Sequence, residues 1–477
     1  MCTDNFRGGS VFNRLLAQAQ GFSRADTDMS RRIPILLAGA LLACALLTVP
    51  ASAKSGVSPA REFAPHQVVL RFEGERDART VALPPGVGVQ RAAAALQRSR
   101  RVAFAAPNYL ATASKADSPT ESAIANDTGT ISYPPGPPGG WVTMQWNFLP
   151  WEGTPTALLP VSPGGIDAVG AWQHLAAAGS RGARGITVAV LDTGIAYRNE
   201  GTRFRRSPDF SSGQFVPGYD FVDEDELPLD ENGHGTHVAG TIAEKTNNGI
   251  GLVGLAYRAK LMPVRVLDRH GSGQADDIAR GIRFAVAHGA DVINMSFNFG
   301  CGKNVPGVDE ELRRAYRKGV VTVASIGNLG SESCVSPPAT GPRTIGVGGT
   351  TEGGCLGAYS LLPGKGLDVL APGGGSPVVD CPSVSSRSIY QVTLQGGNPR
   401  RFGEPGSYVG TSMAAAHVSG VAAMILASGV LKPASTPTER VNELTQRLRG
   451  TARDLGLPST RQGAGLIDAG AATEPSP

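Results

Sequence analysis

An aspartate, a histidine and a serine, each close to glycine, occupy three separated points of this 477-residue chain. They lie in Val190-Leu191-Asp192-Thr193-Gly194, in Asn232-Gly233-His234-Gly235-Thr236-His237 and in Gly410-Thr411-Ser412-Met413-Ala414. A serine hydroxyl is a poor nucleophile near neutral pH unless an imidazole can take its proton. The imidazole in turn needs a carboxylate that fixes its tautomer and stabilises the cation it becomes. Taken singly, the residues have bland explanations: a strand-end acid, a surface histidine, a helix-capping serine. A fourth residue, Asn328 in Ala324-Ser325-Ile326-Gly327-Asn328, is on its own an ordinary turn residue after glycine.

Together, in the order Asp, His, Ser, the three motifs resemble the subtilisin-like serine proteases, whose chain order sets them apart from other triad enzymes. The resemblance implies an endopeptidase in which Ser412 attacks the peptide carbonyl, His234 carries the proton and Asp192 orients His234. It places Asn328 as the side-chain donor to the oxyanion, with the Ser412 N–H as the second donor. It also implies that Gly271-Ser272-Gly273 and Ser296-Phe297-Asn298 form two walls that pair with an extended peptide. Ile326, Gly327 and Leu329 then border an uncharged pocket suited to an apolar or aromatic residue before the scissile bond. Phe297 departs from the small or aliphatic residue usual there, and Ala416 replaces a usual proline. Because the mechanism needs a neutral His234, activity should fall at acid pH.

Two other classes share these residues. A ligating or processing transpeptidase would use an amine in place of water, and a silent relative would only bind. No cofactor is required for the chemistry. Exported relatives commonly hold calcium, so the acidic run before His234 offers Asp223, Asp225 and Asp230 as oxygen ligands, against the alternative of a solvated acidic loop. His237 follows His234 by three residues, but without an H-E-x-x-H pattern it reads as structural, as does His417.

The elements that must position these groups are legible as alternating apolar strands and helices. Ile186–Leu191, Lys260–Leu267, Asp291–Ser296, Val320–Ser325 and Thr344–Val347 read as strands, the first as a buried parallel one. Between them His234–Lys245, Asp276–His288, Val308–Lys318 and Ser412–Ser428 read as helices. This predicts an α/β fold: a doubly wound, mostly parallel sheet with helices on both faces. Asp192 then follows a strand, while His234 and Ser412 open helices. A helix N-terminus also favours negative charge developing beside Ser412.

Upstream, Ser30-Arg31-Arg32, an apolar run from Ile33 to Val49 and Ala51-Ser52-Ala53 read as a signal peptide, with residues 1–53 a leader and Met29 its expected start. Leu41-Leu42-Ala43-Cys44 is the lesser alternative of a lipid anchor. Residues 54–115 form a small α/β unit, with a strand at Gln67–Phe72, a helix at Val89–Ser99 and a strand at Val102–Tyr109. Ala106-Pro107-Asn108-Tyr109 resembles the end of a propeptide, an intramolecular inhibitor and folding aid. Residues 116–141 are a Pro/Gly/Ser-rich linker suited to self-cleavage, and 142–477 the catalytic domain.

Cys301, Cys334, Cys355 and Cys381 remain after the leader, an even set that suits two disulfides in a secreted or periplasmic protein. Of three connectivities, sequential pairing is favoured. The hydrophobic share of 41% supports a large core, and a net charge of +4 without basic-aromatic blocks argues against nucleic acid. The expected partners are polypeptides and the chain's own propeptide, with no permanent membrane span and a monomeric state.

Overall fold

The structure, a computed structural model, describes residues 62–113, 141–153, 159–180, 182–246, 251–330, 334–360 and 364–475. The leader and nearly all of the linker lie outside the described residues.

The N-terminal unit is built from β1 (Phe63–Phe72), β2 (Arg79–Ala82), α1 (Val89–Gln97) and β3 (Val102–Ala113). β1 lies between β2 and β3, antiparallel to both. Alternate residues of β1 and the inner face of α1 bury Val68, Leu70, Ala92 and Leu96 in a small core of their own.

The larger domain carries α2 (Ala168–Ala177), β4 (Thr187–Asp192), β5 (Tyr219–Asp220), α3 (His234–Ala243), β6 (Lys260–Arg265), β7 (Ser272–Gln274) and α4 (Ala275–Ala287). It continues through β8 (Val292–Met295), β9 (Phe297–Asn298), α5 (Pro306–Arg317), β10 (Val321–Ser325), β11 (Thr344–Thr350), β12 (Val369–Pro372), β13 (Thr393–Gln395), β14 (Asn398–Gly403), α6 (Thr411–Ser428) and α7 (Pro437–Gly450). Seven strands form one sheet in the order β12-β11-β10-β8-β4-β6-β5. Every pairing in it is parallel. The doubly wound architecture expected from the alternation is present.

β4, β8 and β10 are buried along nearly their whole length and mostly apolar because both faces are covered. α6 packs against β8, β10, β11 and β12, while α4 and α5 pack on each other and against strands of the same sheet. α6 is long and apolar enough to cross a membrane, yet it is buried against this sheet and against α3. It stops at Gly429, whose left-handed φ of 76° closes the last turn. α7 starts with a Thr436/Glu439 capping box and Pro437, which satisfy its first N–H groups.

The strands and helices read from the sequence keep their boundaries to within three residues, except that β1 starts four residues earlier at Phe63 and β3 runs on to Ala113. The periodicity did not reveal β2, α2, β5, β12, α7 or the β13–β14 hairpin.

Candidate active site

Three neighbouring strands deliver the site. In the order β10-β8-β4, their carboxyl ends carry Asn328, Ser296 and Asp192 on one rim, where open α/β sheets hold ligands. α3 begins with His234 and α6 with Thr411-Ser412, and the two helices pack on each other. Gly233, at φ 101°, turns the chain into α3 in a conformation that costs glycine little.

Asp192 and His234 are both buried, and His234 Nδ1 lies 2.7 Å from Asp192 Oδ1. The same oxygen accepts the Thr193 N–H at 2.8 Å, which fixes the carboxylate plane. Such a contact leaves Nδ1 protonated and Nε2 free to accept. His234 Nε2 is buried and has no hydrogen-bond partner among the described residues.

Ser412 Oγ donates to the Ser296 carbonyl at 2.9 Å, and Ser296 Oγ donates to the Ser412 carbonyl at the same distance. This reciprocal pair locks the start of α6 onto the end of β8. The sequence placed Ser296 in the substrate wall; the structure adds this contact with the serine.

Asn328 Oδ1 accepts from both the N–H and the Oγ1 of Thr411, each at 2.9 Å. The amide is thereby oriented, and its Nδ2 is buried with no partner. A buried donor without an acceptor is costly and calls for an oxygen to fill the place in front of it. Thr411 was not singled out from the sequence, although it adjoins the serine.

Asp230 organises the turn. Its Oδ1 accepts from Thr193 Oγ1, Asn232 N–H and Gly233 N–H, and its Oδ2 from Thr236 N–H and Thr236 Oγ1, all at 2.6 to 3.0 Å. Thr193 Oγ1 in turn accepts the Gly235 N–H at 3.0 Å. Burial raises the Asp230 carboxyl while these donors pull it down. The carboxylate braces the Asp192 and His234 segments against each other, and its oxygens are already occupied. Asp223 pairs with Arg265, and Asp225 Oδ1 accepts the Leu227 N–H. The three acids offered from sequence as calcium ligands thus each engage a different partner in this structure. Among the described residues no group of three or more His, Cys, Asp or Glu could hold a metal.

His237 and His417 are structural. His237 Nε2 lies 2.9 Å from the Ile389 carbonyl and its ring stacks on Tyr408. His417 Nδ1 lies 2.7 Å from the Met413 carbonyl, Nε2 lies 2.7 Å from Asn147 Nδ2, and burial lowers its pKa to about 4.

The two expected walls are β7 and β9, and the cleft between them holds the end of β3. Leu110 pairs with Gln274, Ala111 with Gly273 and Thr112 with Ser272. On the other side Thr112 pairs with Asn298 and Ala113 with Phe297. All are antiparallel, so one backbone strand is sandwiched between two edges. Gly273 suits this wall for a steric reason, since a Cβ there would stand 2.1 Å from the Val266 carbonyl oxygen. Phe297 is fully buried, and Ile326 lies beneath the Asn328 turn with its carbonyl bonded to Ser336 N–H.

Cys301–Cys334 and Cys355–Cys381 are both disulfides, each with a Cα separation of 6.0 Å. The first joins the loop after β9 to the segment following Asn328.

Comparison with known proteins agrees with this geometry. The model of the subtilase family matches residues 183–465, more than half of the chain. Thermophilic serine proteinase of Bacillus sp. (strain AK1) is 34% identical over 335 residues, covering 70% of this chain and 66% of that protein, just under two thirds of its length. Thermitase of Thermoactinomyces vulgaris is 33% identical over 289 residues, covering 61% of this chain and 89% of thermitase. A solved protease structure from Pseudoalteromonas arctica aligns with TM-score 0.53 and 32% identity, covering 65% of this chain and 94% of that one. The chain belongs to the subtilase family of serine endopeptidases.

Proposed function

We propose that this chain hydrolyses peptide bonds through Ser412, His234, Asp192 and Asn328, and that its first substrate is itself. The observation that carries the reading is the pairing of His234 Nδ1 with Asp192 beside an unpartnered Nε2, at the mouth of a cleft already filled by a peptide strand. For attack, Ser412 Oγ rotates from the Ser296 carbonyl to His234 Nε2, gives up its proton and bonds to the substrate carbonyl carbon. The carbonyl oxygen becomes an oxyanion between Asn328 Nδ2 and the Ser412 N–H, close to the N-terminus of α6. His234 then protonates the departing amine, and water hydrolyses the acyl-enzyme by the same route.

Residues 54–115 act as the propeptide. Their last strand pairs with β7 and β9 as a substrate would, by main-chain hydrogen bonds. The antiparallel register ends at the Ala113–Phe297 pair, next to Ser296, whose carbonyl holds Ser412 Oγ. Self-cleavage therefore falls within one residue of position 114, near the start of the linker. Export by the leader agrees with the two disulfides.

A fluorophosphonate reagent followed by peptide mapping tests the assignment of the nucleophile. The adduct should sit on Ser412 and be lost in His234→Ala. An adduct on another serine would overturn it.

A further inference from the structure

Six arginines gather on two segments that meet beside the His234 turn. The loop after β4 carries Arg198, Arg203, Arg205 and Arg206, and the β13–β14 hairpin carries Arg400 and Arg401. The segments are joined where the Arg205 N–H donates to the Pro399 carbonyl at 2.9 Å. The hairpin is seated on the catalytic turn: Thr393 Oγ1 donates to the Gly233 carbonyl, and a Cβ at Gly233 would stand 3.2 Å from the Leu394 Cβ. On the other segment, Arg203 pairs with Glu231 of that turn.

Two of the six charges are compensated, Arg203 by Glu231 and Arg198 by Glu200 at 2.6 Å. Arg206, Arg400 and Arg401 make no ion pair among the described residues, and the last two are exposed. Uncompensated like charges that crowd one rim repel one another and favour a fold-external anion.

The position of the rim says which part of a substrate it meets. β7 and β9 take the segment before the scissile bond, as β3 illustrates up to Ala113. The border formed by the His234 turn and the hairpin is left for the segment after it. The chain's own sequence there is acidic: residues 114–140 hold Asp117, Glu121 and Asp127 against the single cation Lys115. Charge complementarity thus favours a polypeptide over a nucleic acid as the occupant.

We infer that this arginine rim, centred on Arg400 and Arg401, selects carboxylates on the leaving-group side of the scissile bond. The inference rests on the endopeptidase reading and adds a substrate class to it: polypeptides with Asp or Glu a few residues beyond the cut, the chain's own linker being the first. Attraction at an exposed rim is modest and screened by salt, so the effect belongs in kcat/KM at low ionic strength.

Internally quenched peptides that are identical before the scissile bond, and carry Asp-Glu or Asn-Gln at the third and fourth positions after it, test this on the mature enzyme. The acidic peptide should be cut about 5–10-fold more efficiently at low salt, an advantage that about 0.5 M NaCl removes. The Arg400→Glu/Arg401→Glu variant should lose that preference while cutting the neutral peptide at the wild-type rate. Equal rates for the two peptides in the wild type, or an acidic preference that survives in the variant, would overturn the rim. Failure of the wild type on both peptides would strike the endopeptidase reading instead.

Discussion

The catalytic corner and the N-terminal unit are held in place by different forces. Asp192, His234 and Ser412 are all buried, on elements that belong to one continuous core. The N-terminal unit has a separate, smaller core, and apart from Ala111, which is buried in the larger core, and Tyr109 packed against it, the unit meets the larger domain through backbone pairs and partly exposed charges. Arg71 pairs with Glu310, Asp77 with Arg283 and Glu62 with Lys303 across this boundary. Asn108 adds a buried amide that donates to Gln274 Oε1 at 2.8 Å. Burying apolar side chains is worth about 1.5–3 kcal/mol each, whereas an exposed ion pair contributes about 0–1 kcal/mol. Under the proposed self-cleavage, one region stays and the other leaves once its link is cut.

That contrast can be broken first at the corner. Asn328→Ala should lower kcat by about 10²–10³ with little change in KM, a magnitude that comes from subtilisin itself. Melting temperature should also fall modestly, because the variant loses the Oδ1 that accepts the Thr411 N–H and Oγ1. A stability loss with unchanged kcat would show that Asn328 merely ties down Thr411.

The boundary should respond to salt. With the three ion pairs at about 0.5 kcal/mol each, about 1 M NaCl should speed release of the cleaved N-terminal unit roughly tenfold. The onset of activity after cleavage reads this directly, and a salt-independent onset would mean that strand pairing alone holds the unit.

The smallest effect lies on α4, which supports the N-terminal unit through the Thr80–Asp276 hydrogen bond of 3.0 Å. Next to it, burial, then the charge of Asp276, raises Asp277 to about 7, against the pull of Arg280. Its folded value lies above its unfolded one, so the fold binds this proton more tightly. Stability from this group is present at low pH and lost as pH rises from about 4 to about 7. Asp277→Asn should therefore stabilise the protein by about 1 kcal/mol at pH 8 and by nothing at pH 4. Denaturant midpoints at the two pH values check the sign.

How much of this was legible in the sequence differs between the same regions. β4, α3 and α6 could be read because long apolar patterns and fixed motifs mark them, and they carry Asp192, His234 and Ser412. The extension of β3 to Ala113 was not legible. Leu110-Ala111-Thr112-Ala113 is an unremarkable run whose strand form depends on edges about 160 residues further on. β7 and β9 are equally short and exist as walls only where a third strand joins them. The β13–β14 hairpin did carry a signal, Gly396-Gly397 between two short runs, but its strands lack clean alternation. Asp230 was offered as an oxygen ligand beside the alternative of a solvated acidic loop, and a carboxylate in an acidic run does not reveal that five donors fold around it.

Ser412→Ala in the full-length precursor is the most direct measurement. Intact mass of the purified variant should show a single uncut chain, while the wild type yields a new N-terminus within one residue of position 114. If the variant acquires that same N-terminus with no other protease present, the corner described here does not release its own stopper.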